Sequence, residues 1–105
     1  MKAPHTARRR AIARELTALI PRVPYADAQA IRELALSARF RELPPSIAVW
    51  LATVAHIRHE HTEYDALLKE GYDREAARHF TLDAINACLL RWGASRYLGA
   101  EDPTD

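Results

Sequence analysis

Pro44-Pro45-Ser46-Ile47-Ala48-Val49-Trp50-Leu51-Ala52-Thr53-Val54-Ala55-His56-Ile57-Arg58-His59-Glu60 is the most apolar stretch of the chain. Ile47, Trp50, Leu51, Val54 and Ile57 recur at spacings of three and four, and a helix gathers such residues on one face. The prolines punctuate the chain, and Pro45 or Ser46 can open a helix over about 46–60. Working upstream, Ile31, Leu34, Ala35 and Ala38 form the stripe of a helix over about 25–40. Pro21 and Pro24 separate it from a first helix that Thr6 can cap and that runs to Leu19 or Ile20, with Ile12, Leu16 and Leu19 as its stripe. Downstream, Thr62 resembles an N-cap with Asp65 three residues on, a carboxylate variant of the capping box. A short helix there turns Tyr64, Leu67 and Leu68 inward and ends at Gly71. Asp73 caps a fifth helix that can reach about 97. Its two apolar stripes are Leu82, Ile85, Leu89 and Trp92 on one side and Phe80, Ala84, Ala87 and Cys88 on the other, and they predict a centrally packed helix.

The expected fold is therefore all-α: a single-domain, compact bundle of about five helices. The 105 residues suffice for one core, and a second would need roughly 50 more. Alanine is the commonest residue and there are three valines, a balance that favours helix over strand. The expected organisation is a partly flexible basic N-terminus at 1–11, a helical domain at 12–98 and a flexible acidic tail at 99–105. No apolar run approaches the ~18 residues of a membrane span. Cys88 is the single cysteine, which suits a reducing cytoplasm.

The net charge of +1 hides an uneven distribution. Residues 1–61 carry ten basic and five acidic side chains, and residues 62–105 carry five and nine. Arg8, Arg9, Arg10 and Arg14 cluster on or before the first helix, and Arg22, Arg32, Arg39 and Arg41 extend the basic half. If they share a face, nucleic acid is the leading partner, bound through its phosphates with steep salt dependence. No helix-turn-helix signature accompanies them. A protein-interaction module is the competing class, and a homodimer pairing the basic part of one copy with the acidic part of another would suit the asymmetry.

Three of the five histidines fall within His56–His61. At about 100° per residue, Arg58 lies within about 20° of the centre of the apolar stripe and His61 within about 40° if the helix continues that far, while His56 falls on the far side near Glu60. A guanidinium facing the core must be paired or reach solvent. The simplest expectation is a salt-bridge network of Arg58, Asp65, Arg74 and Arg78 joining the last three helices; the alternative is an anion-binding cleft. Arg74 and Arg78 begin the fifth helix, where cations oppose the macrodipole unless an anion sits nearby. His56 with His59, or with Glu60, has the spacing of two metal ligands on one face, with the rest to come from His79, Cys88, His5 or acidic residues. A solvated polar face is the expectation for His56 and Glu60, and no metal or cofactor is expected. An enzyme centred on Arg58, His59, Tyr64 and Asp65 is the remaining alternative. It requires those groups to line an open pocket rather than satisfy one another. No nucleophile elbow, glycine-rich phosphate loop or H-E-x-x-H motif is present.

Ala55-His56-Ile57-Arg58-His59, then Thr62, Tyr64, Asp65, Leu67, Leu68, Gly71, Arg74, Ala77 and Arg78, resembles the hallmark of bacterial domain of unknown function family 2293. Ile20-Pro21 and Leu90–Trp92 resemble its ends, so the likeness covers roughly residues 15–95. The resemblance implies no activity, substrate or cofactor. It singles out Arg58, His59, Thr62, Tyr64, Asp65, Arg74 and Arg78.

Overall fold

Prolines set most of the boundaries. In the computed structural model, which describes residues 4–102, Pro4 occupies the first position of helix α1 (Pro4–Leu19), where its missing N–H leaves no hydrogen bond unmade. The helix thus starts ahead of the expected cap Thr6. Pro24, extended at φ −62° and ψ 152°, precedes α2 (Tyr25–Ala35). That helix stops short of the expected 40. The Ser37 hydroxyl and amide both donate to the Leu34 carbonyl, at 2.6 and 3.0 Å, competing with helix continuation. The chain then makes a 3-10 turn, Ala38–Phe40, which buries Phe40 and leaves Ala38 exposed.

The central element is α3 (Pro45–His61). Ala48, Ala52 and Ala55 are buried along with Val49, Val54 and Ile57, so it is covered on more than the one expected face. Small side chains let neighbours approach closely, and α1, α2 and α5 (Arg74–Arg91) all pack against it. Ile47, the first residue of the expected stripe, is exposed. The short α4 (Tyr64–Lys69) joins α3 to α5 and buries Tyr64. The expectation of a central fifth helix is reversed. Its Ile85, Leu89 and Cys88 are buried, but Phe80, Ala84 and Ala87 face outward.

Both α4 and α5 end in Schellman motifs. At the first, Gly71 has φ 106°, and the amides of Tyr72 and Gly71 reach the carbonyls of Leu67 and Leu68. At the second, Gly93 has φ 76°, and the amides of Ala94 and Gly93 reach Leu89 and Leu90. The second motif stops α5 at Arg91, six residues before the expected 97. The released segment folds back along the bundle. Ser95 N–H donates to Leu19 O at 3.1 Å, and the Arg96 guanidinium stands 4.0 Å over the Trp50 ring. The Asn86 side-chain amide pairs with both backbone groups of Leu98, at 2.8 and 2.9 Å. The expected flexible ends reach into residues 1–3 and 103–105, which lie outside the described residues. No described helix is long and apolar enough to cross a membrane.

Candidate functional site

Arg58 faces inward as its helical phase predicts and is 4% exposed. Its guanidinium carbon lies 5.5 Å from the centre of the buried Tyr64 ring. With Arg74, Arg78 and His79 it lines a cavity of about 600 Å³ between α3, the first turns of α5 and the returning 98–102 segment. Glu75, Glu101 and Asp102 line the same cavity. None of the three arginines is without a partner. Asp65, expected among their counter-ions, accepts a hydrogen bond from His59 Nδ1 at 2.8 Å, on the surface. Two of these three carboxylates, Glu101 and Asp102, come from the acidic tail.

The other residues singled out by the motif serve the α3–α4 corner. Thr62 Oγ1 donates to the Arg58 carbonyl and accepts from the Tyr64 amide at 3.1 Å. It therefore closes α3 and opens α4 at once. His59 meets Tyr64 edge to face at 5.4 Å between centroids. His59, Tyr64 and Asp65 thus engage one another, and of the four groups in the enzyme alternative Arg58 alone lines the 600 Å³ cavity.

His56 does not lie on a solvated face. Its Nε2–H donates to Asp27 Oδ1 at 2.7 Å, and His61 Nε2–H donates to the same oxygen at 2.7 Å. The side chains of His56 and Asp27 are 11% and 17% exposed, and that of His61 is 34% exposed. The far side of α3 is covered because α2 packs there. His61 also sits edge-on to Trp92, 5.6 Å between centroids. Burial pushes the Asp27 carboxyl up, but hydrogen bonds from His61 and His56 and their positive potential outweigh it and hold the group below its ordinary range. Burial raises the nearby Cys88 thiol, against an opposing pull from Arg91. Sequence spacing pairs His56 with His59 or Glu60 and carries no signal for Asp27. Its partners lie 29 and 34 residues away, and a lone aspartate in the first turn of a helix gives no signal beyond dipole complementarity.

The N-terminal arginines divide. Arg8 donates to the Phe40 carbonyl at 2.9 Å and ties α1 to the 3-10 turn. Arg9, Arg10 and Arg14 are exposed; Arg10 and Arg14 are one helical turn apart, and Arg9 is displaced by about 100°. Of the other basic residues, Arg32 bonds Gln29 and Arg39 lies over Phe40.

The fold and these sites define a small all-α protein with an arginine-lined cleft at one helix junction and a histidine–aspartate cluster at another. The chain belongs to the family described as uncharacterized conserved protein DUF2293, whose model matches residues 15–93. No curated protein and no solved structure matches it.

Proposed function

We propose that the protein is a binding module for a phosphate-bearing ligand, with nucleic acid as the polymer that carries the phosphate. The observation behind this reading is the convergence of Arg58, Arg74 and Arg78, from two helices, on one open cavity together with His79. Guanidinium groups match phosphate oxygens in bidentate geometry, and the first turn of α5 adds the positive end of its dipole. The cavity is of ligand size. Its rim of Glu75, Glu101 and Asp102 opposes a long polyanionic track, so the cleft suits one phosphate group, which displaces the arginines' present contacts. The exposed Arg9, Arg10 and Arg14 supply further salt-sensitive backbone contacts. Fluorescence anisotropy with a labelled 5′-phosphorylated oligonucleotide tests the reading. Affinity is expected to fall at least about tenfold between 50 and 200 mM salt and to fall again in the Arg74→Ala/Arg78→Ala variant. Equal binding by that variant and the parent protein would overturn the assignment to the cleft.

A second reading, self-association, is favoured by the exposed Phe80 and Leu90, 60% and 62% accessible, with Ala84 and Ala87 beside them on α5. A dimer on this apolar face persists in sedimentation at high salt, whereas one built on the basic and acidic halves dissociates. A monomer at both salt concentrations removes this reading.

A further inference from the structure

We propose that Asp27, His56 and His61 form a binding site for a divalent first-row transition-metal ion, held by two imidazole nitrogens and one carboxylate oxygen. The three ligand atoms lie within 4.8 Å of one another, and each histidine nitrogen stands 2.7 Å from the carboxylate oxygen. Metal–ligand bonds of about 2.0–2.2 Å separate neighbouring ligand atoms by roughly 3–3.5 Å in tetrahedral or octahedral geometry. An ion therefore enters as each nitrogen–oxygen pair opens by roughly 0.3–0.8 Å and the two nitrogens, within 4.8 Å of each other, settle into the same range. The ligands come from two packed helices, α2 and α3, and their side chains are already oriented toward one point.

The donor set selects the class of ion. Two imidazoles and a carboxylate suit zinc, ferrous iron and their first-row neighbours, whereas magnesium and calcium take oxygen ligands. Three protein ligands leave coordination positions for water or an exogenous group, unlike the closed four-ligand set of a structural zinc site. His61 also lines a second cavity, of about 430 Å³, with Glu60 and Glu63 on its wall. That cavity borders the site at His61 alone, and the two carboxylates on its wall supply negative potential beside it. On binding, each Nε2–H···O hydrogen bond gives way to a metal–nitrogen bond. The displaced proton moves to Nδ1 or leaves to water. The aspartate oxygen that accepts from both rings becomes the third ligand.

Titration of tag-free, chelator-stripped protein with Co²⁺, read by visible absorption, tests the site. The expected result is saturation at one equivalent, reversed by Zn²⁺, with affinity reduced about tenfold or more in His61→Gln and unchanged in His59→Ala. Folding of both variants is checked by circular dichroism. Should His61→Gln fail to fold, NMR of the unmodified protein decides: Zn²⁺ is expected to shift the imidazole resonances of His56 and His61 and to spare His79. The proposal is overturned by the absence of a stoichiometric Co²⁺ spectrum, by equal weakening in His59→Ala and His61→Gln, or by imidazole shifts that miss His56 and His61.

Discussion

Thr53 is fully buried in the middle of α3, and its hydroxyl has no hydrogen-bond partner among the described residues. A buried polar group without a partner lowers stability by more than a satisfied one contributes. Thr53→Val keeps the shape and removes the hydroxyl, so it is expected to stabilise the protein by up to about 1 kcal/mol. Chemical denaturation checks this, and a lower midpoint for the variant would contradict it. Residue-scale legibility was uneven for physical reasons. The inward orientation of Arg58 follows from its phase on its own helix, and the structure places it there. The surroundings of His56 depend on how α2 lies against α3, and the phase of one helix carries no information about its neighbour. The solvated face expected for His56 is accordingly where the cluster with Asp27 forms.

Five helices were legible as elements because proline and cap residues mark most of their limits. The errors lie where a short polar contact or an internal glycine decides. Ser37 breaks the second helix, and Gly93 terminates the last one ahead of the expected 97. The centrality of α3 over α5 was illegible because two apolar stripes look alike whether the second is buried or exposed. Ending α5 early has a consequence for its neighbour in sequence. The 95–98 segment depends on the Asn86 amide, which satisfies both the N–H and the C=O of Leu98. Asn86→Ala is expected to lower stability by about 1–2 kcal/mol and to speed hydrogen exchange at the Leu98 amide beyond exchange in the centre of α3. Unchanged protection at Leu98 would show that other contacts hold the segment.

For the molecule as a whole, the near-zero net charge is a sum over regions with different roles. Arg8 and Arg39 are engaged with the 3-10 turn, while Arg9, Arg10 and Arg14 remain on the surface. In the acidic half, three carboxylates share a cavity with three arginines. The basic-to-acidic division seen in the sequence therefore includes residues engaged in local contacts as well as residues on the surface. Its most consequential meeting point is the cleft between α3 and α5. Mapping amide shifts by NMR during titration with a 5′-phosphorylated oligonucleotide tests the proposed role of that cleft most directly. Shifts centred on Arg58, Arg74, Arg78, His79 and the 98–102 segment, and lost when the 5′-phosphate is omitted, are the predicted result. Shifts confined to Arg9, Arg10 and Arg14, or no shifts at all, would contradict it.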